Sequence, residues 1–195
     1  MMRKGKVQYY NTLYQITRTI TSTLDLDEVL KLITENTVKT MGVKACSIRL
    51  INEDKKTLRI ASAYGLSEDY LKKGAVEIDK SLIDAEVLKG NIVKIKDATT
   101  DPRFQYPEEA KKEGIKSVLC VPLQLKDRII GVMRVYTDKP RTFAKSEVEF
   151  LTALASSAAI AIENARLYDL LRREYSKLYN DFMQWYDSWS VAVSR

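Results

Sequence analysis

The period of the apolar residues changes twice along the chain, and that change limits the fold more than any other feature. Over Val7–Leu24 the apolar positions Tyr9, Leu13, Ile16 and Ile20 are spaced 4, 3 and 4 apart, one face of an amphipathic helix. After the break LDLDEVL, where Asp25 or Asp27 can cap, a second helix carries Val29, Leu30, Ile33 and Val38 and ends near Met41-Gly42. The period then drops to two. In ACSIRLI, Cys46, Ile48 and Leu50 fall on one side of a strand, and Ala45, Ser47 and Arg49 on the other. The turn NEDKK leads into TLRIASAYG, so 45–64 reads as a β-hairpin.

Residues 65–114 are mixed. LSEDYLKKG reads as a polar turn or short helix, Val76–Ile78 as a short strand, SLIDAEVLKG as a helix closed by Gly90, and NIVKIKD as a strand. ATTDPRFQYPEEAKKEG, with two prolines, reads as a loop holding one short helix. A second hairpin follows in SVLCVPLQLKDRIIGVMRVY, turning at Lys126-Asp127-Arg128, with Pro122 marking an irregularity or an edge. From Ala144 to about Trp189 a helical pattern returns without Gly or Pro. Strands joined mainly by hairpins imply an antiparallel sheet. With terminal helices packed on one face, the class is α+β.

Composition removes several function classes. The chain of 195 residues suits one domain with long flanking elements, and its 45% hydrophobic and 30% charged residues are those of a globular protein. No apolar run approaches the ~20 residues of a membrane helix, and MMRKGKVQYY has no apolar core, so neither a membrane span nor a signal peptide is expected. The net charge of +6 is spread over lysines with acids close by, as in EEAKKE. That is a solvated surface rather than a phosphate-tracking stripe, so no nucleic-acid partner is expected. Cys46 and Cys120 sit in apolar strands and read as reduced core thiols of a cytoplasmic protein. There is no histidine. A His-bound haem or zinc, a Cys-His or Ser-His nucleophilic pair and a phospho-accepting His are thereby excluded from this chain, and no enzyme activity is expected.

Taken in order, these residues resemble a GAF domain from about Leu24 to Ile162. The resemblance rests on LDLDEVLKLI, ACSIRLINED, the Asp97…Asp101-Pro102-Arg103-Phe104 spacing, and above all EGIKSVLCVPLQLKDRIIGVMRVYTDKPRTFAKSEVEFLTALASSAAIAIENARLY. It implies a PAS-like six-stranded antiparallel sheet, helices on one face and a small-molecule pocket on the other. Expected boundaries are 1–24 for an N-terminal helix, 25–165 for the GAF domain and 166–195 for a helical extension. Gly131 is expected to let a helix lie close on the sheet, and Phe143 to staple the start of the last helix.

The implied pocket would be lined by Ser47, Arg49 and Arg134, with Tyr64, Asp97, Phe104 and Ser117 at its rim. A mid-strand Arg binds an anion bidentately. Arg49 and Arg134 equally read as strand-end residues reaching into water, and Phe104 as a plug. The family's known ligands are diverse, so the resemblance names no cofactor. Asn91, Lys94 and Phe104 match the start of a cyclic-nucleotide signature only loosely. A bilin is not expected, with Cys120 inside a strand and no His. The family's free methionine sulfoxide reductases leave one enzymatic alternative, through Cys120; a ligand-free dimerisation scaffold is another.

The tail poses its own problem. Leu171, Tyr175, Leu178, Phe182, Trp185 and Trp189 follow spacings of 4, 3, 4, 3 and 4, a heptad seam reaching ~28 Å beyond what a sheet would cover. Such a stripe asks for a partner. The expectation is a homodimer in which these residues meet a second copy, joined by the Leu13, Ile16 and Ile20 face of the first helix. A signalling partner protein would read the bundle.

Overall fold

The computed structural model describes residues 2–22 and 25–193. In chain order the elements are α1 (Met2–Ser22), α2 (Leu26–Met41), β1 (Ala45–Ile51), β2 (Thr57–Tyr64), α3 (Glu68–Leu71), β3 (Val76–Glu77), α4 (Leu82–Val87), β4 (Val93–Ile95), α5 (Pro107–Lys112), β5 (Ser117–Leu125), β6 (Arg128–Thr137) and α6 (Lys145–Val193). Thr23 and Leu24, where the first helix was expected to end, lie outside the described residues. Residues 1–161 form one compact unit and residues 162–195 a second.

In the first unit six strands make one antiparallel sheet in the order β3-β2-β1-β6-β5-β4. The class is α+β, as the alternating periods require. Local causes fix both ends of α2 and the start of α6. Asp25 accepts the Glu28 N–H at 3.1 Å and starts α2, and Gly42, in the left-handed region at φ 59, ends it. Glu147 accepts the Ala144 N–H at 2.8 Å and pairs with Arg141, fixing the start of α6 beside the buried Phe143. Pro122 lies beyond the last β4 partner, Cys120, where β5 has a neighbour on one side only.

The register sorts the two faces. The rungs Cys46–Val135–Leu119, Ile48–Met133–Val121 and Leu50–Gly131–Leu123 point one way. They are buried on the helix side, where α2 packs on β1 and β2. Ile16 is buried here at 1% exposure, and Tyr9 of α1 stacks on Phe150 of α6 with ring centroids 4.3 Å apart. Ile16 therefore belongs to the protein's own core and is withdrawn from the face expected to meet a second copy. Leu13 and Ile20 on the same helix are half-buried.

Gly131 also has a different role from the one expected. A Cβ there would stand 2.1 Å from the Arg49 carbonyl oxygen, so the missing side chain permits the close approach of β6 to β1 rather than that of a helix. The expectation about membrane helices needs amending as well. α6 contains a window long and apolar enough to cross a membrane by length and composition, although 44% of that window is buried inside the protein.

Candidate functional site

The opposite face carries the rungs Ala45–Tyr136–Val118, Ser47–Arg134–Cys120 and Arg49–Val132–Pro122. Arg49 and Arg134 are thus one same-face rung apart on the two central strands. They lie under a cover made from α3, β3, α4 and the chain leading into α5, and neither reaches water: Arg49 is 1% exposed and Arg134 4%. Together with Tyr70, Lys73, Ser81, Asp84, Phe104, Gln105 and Tyr106 they line a cavity of about 10 Å³. That is roughly the space of one water.

The polar groups around this space are unevenly matched. Arg134 Nη2 forms an ion pair with Asp84 Oδ1, and Asp84 Oδ2 accepts from Ser81 Oγ at 2.6 Å. Asp84 is held there by the short helix α4, whose N-cap is Ser81. Its carboxylate keeps the Arg134 guanidinium charged despite complete burial. Arg49 has no such counter-ion: its Nε and Nη2 lack hydrogen-bond partners among the described residues, as do Arg134 Nε, Tyr70 Oη and Gln105 Oε1.

Lys73 is the third basic side chain at the cavity. Its Nζ lies 3.1 Å from the centre of the Tyr70 ring and 5.6 Å from that of Tyr106. Burial, reinforced by the Arg49 and Arg134 charges, lowers its ammonium pKa to about 6, against the pull of Glu109 and Asp84. The Tyr70 face favours the ammonium form, but one ring does not offset desolvation beside two guanidinium groups. At neutral pH the site then carries Arg49⁺, the Arg134–Asp84 pair and a neutral amine, close to one net positive charge.

A family model described as GAF domain matches residues 23–163. The chain belongs to the GAF domain family. The GAF domain from a phosphoenolpyruvate-protein phosphotransferase of Coxiella burnetii superposes with a TM-score of 0.75 at 21% identity, covering 84% of this chain and 98% of that one. Among curated relatives, a phosphoenolpyruvate-dependent phosphotransferase system protein of Salmonella typhimurium is 23% identical over 155 residues, covering 80% of this chain and 21% of its own length. An uncharacterized sensor-like histidine kinase of Chloroflexus aurantiacus is 28% identical over 170 residues, with 86% and 27% covered. The chain thus spans only about a fifth to just over a quarter of the length of these two relatives. GAF domains are in general regulatory sensor domains, and a sensory or regulatory role fits these relatives.

Within this GAF domain, three of the seven expected pocket residues come together: Arg49, Arg134 and Phe104. Both arginines are deeply buried, so the reading in which they reach into water is corrected. The other four residues do not line the cavity. Ser47 Oγ hydrogen-bonds Tyr136 Oη at 2.9 Å, and Ser117 Oγ donates to the Lys96 carbonyl at 2.7 Å while accepting from the Arg141 N–H. Asp97 accepts from the N–H and hydroxyl of Thr99, which hold its carboxyl below the usual range. Tyr64 ends β2 half in solvent. Sequence reasoning missed Asp84, Ser81, Lys73, Tyr70, Gln105 and Tyr106. Only the Ser81-x-x-Asp84 cap left a readable signal.

The two thiols are inert by environment. Both are fully buried, and burial pushes the Cys120 thiol up to about 12 and Cys46 higher still. Among the described residues no group of His, Cys, Asp or Glu could hold a metal ion.

The second unit is helical and presents its own surface. Leu171, Tyr175, Leu178, Phe182, Trp185 and Trp189 are all exposed, between 52% and 69%. The rings of Phe182, Trp185, Tyr186 and Trp189 stack along the helix with centroids 6.0–6.4 Å apart.

Proposed function

We propose that this GAF domain is a cytoplasmic, non-enzymatic sensor. It binds a small anionic molecule between Arg49 and Arg134 and signals through a helical bundle formed by two copies. The observation that carries the reading is the pair of buried guanidinium groups with unpartnered N–H donors. Each unmatched buried donor costs about 1–3 kcal/mol, and a carboxylate or phosphate oxygen would satisfy them. Ligand entry displaces the cover, and the shift passes through β1 and β6 to the terminal helices, where it biases a partner protein. The exposed heptad seam at Leu171–Trp189 supports the dimer.

A pure dimerisation scaffold is the second reading, and one observation favours it: the cavity is nearly filled by its own side chains. A self-filled core, however, has no use for an unpaired buried Arg49. Sulfoxide reduction through Cys120 is disfavoured by a thiol that stays protonated. It would return only if an activity disappeared in Cys120→Ser.

Native mass spectrometry of the full chain tests both parts. A dimer carrying a reproducible small extra mass supports sensing, and a bare dimer that no anion stabilises supports the scaffold. Leu178→Asp should convert the dimer to a monomer; a dimer that survives it sinks the bundle.

A further inference from the structure

The unmatched atoms around the cavity define more than a negative charge. On Arg49 the free atoms are Nε and Nη2, which lie along one edge of the guanidinium and present two parallel N–H donors. That edge matches the two oxygens of a carboxylate. Arg134 uses Nη2 on Asp84 and leaves Nε free, so a third donor serves the same oxygens from the neighbouring strand. Gln105 Oε1 is an unmatched acceptor, and Tyr70 Oη is unmatched as well. A ligand that completes the site therefore brings one carboxylate and one hydrogen-bond donor.

Charge decides which donor. An ammonium group would enter beside Arg49 and Arg134, with Asp84, the only carboxylate among the described lining residues, already engaged by Arg134 and Ser81. Like charges in a dry site repel strongly, so an amino acid is a poor fit. A neutral hydroxyl has no such cost, can donate to Gln105, and can accept from Tyr70. Net charge sets the valence: with Lys73 largely uncharged at neutral pH, a monoanion balances the site, whereas a dianion requires a proton on Lys73.

Size sets the rest. The space is about 10 Å³, so the cover must yield, and it is pinned at several points. Tyr106 Oη donates to the Ala75 carbonyl at 3.0 Å, and Arg103 bridges Asp101 and Glu86. The half-buried Lys73 side chain is the group free to swing out with the least loss. A ligand of a few heavy atoms is admitted at the smallest disturbance.

Building on the anion-sensor reading, we infer that the site takes a compact 2-hydroxy monocarboxylate. Its carboxylate sits on the Arg49 edge and Arg134 Nε, and its hydroxyl lies between Gln105 Oε1 and Tyr70 Oη. Binding is non-covalent.

The test is calorimetry and thermal shift on the full chain with glycolate and L-lactate, against acetate, glycine and phosphate at one ionic strength and pH 7. Glycolate or lactate should bind about tenfold more tightly than acetate, the worth of one well-formed hydrogen bond, and glycine should not bind. Gln105→Leu should erase the preference for the hydroxy acid over acetate while both still bind, a result that loss of folding would not give. Arg49→Met should abolish binding of both. Tighter binding of glycine or phosphate, or a hydroxy-acid preference untouched by Gln105→Leu, overturns the assignment while leaving an anion sensor standing. If no anion shifts the protein and none co-purifies with it, the sensor reading falls too.

Discussion

The two faces of the sheet are built from the same three strands and bury their side chains equally well, yet they follow different rules. On the helix face the polar groups are few and serve themselves: Thr34 and Thr37 donate to the Leu30 and Ile33 carbonyls of their own helix. On the opposite face Arg49, Arg134 and Asp84 are buried like the apolar core, and several of their atoms, with those of Tyr70 and Gln105, have no partner among the described residues. One face is finished by folding. The other is left incomplete, and the proposed anion sensor rests on that unmatched chemistry.

Substitutions can break this contrast or sharpen it. The largest expected effect comes from Asp84→Ala, which strands Arg134 as an uncompensated buried charge and should cost about 3–5 kcal/mol in urea unfolding. On the helix face Ile33→Ala should cost about 2–4 kcal/mol through the cavity it leaves, with anion binding unchanged. Equal loss of binding in both variants would erase the distinction between the faces. Arg49→Met should instead raise the stability of the ligand-free protein by about 1–2 kcal/mol, since it removes a charge that nothing within the fold balances. A destabilised Arg49→Met would mean that Arg49 already has a structural partner.

The remaining effect is a pH dependence. Burial and the Arg49 and Arg134 charges push the Lys73 ammonium down to about 6 in the fold, against an ordinary 10.5. Between those values the unfolded chain holds a proton that the folded chain has released, so this group makes stability rise with pH. Tyr70 and Tyr106 bracket the amine, Arg49 and Arg134 repel its proton, and Glu109 and Asp84 attract it. Lys73→Met removes this contribution. The variant should melt above the wild type at pH 6, and the two melting curves should converge as pH approaches 10.5.

Much of the fold was readable because periodicity reports directly on packing: the hairpins at 45–64 and 117–137, and both capped ends of α2, follow from it. Alternation also placed Arg49 and Arg134 on one side of the sheet. It could not say how deep they lie, since depth is set by the cover. That cover is made of two- to six-residue elements, β3, α3, α4 and α5, too short to show a period. Asp84, Lys73, Tyr70 and Gln105 come from those pieces and looked like ordinary surface residues. Ser47, Ser117 and Asp97 were over-read for a related reason. A hydroxyl or carboxylate beside a strand end often serves the nearest backbone group, as all but Ser47 do here, and Ser47 serves Tyr136. Gly131 was misplaced because a glycine signals a close approach without naming the neighbour.

The strand order has a kinetic corollary. β1 and β6 are adjacent in the sheet but distant in the chain; Ser47 and Tyr136, joined across them, are 89 residues apart. Each hairpin can form early from local contacts, whereas the β1–β6 seam must wait for a long loop to close. Arg49 arrives with the first hairpin and Arg134 with the second. A chain still emerging from the ribosome therefore holds only half of the guanidinium pair, and the pair is assembled in the step that completes the sheet.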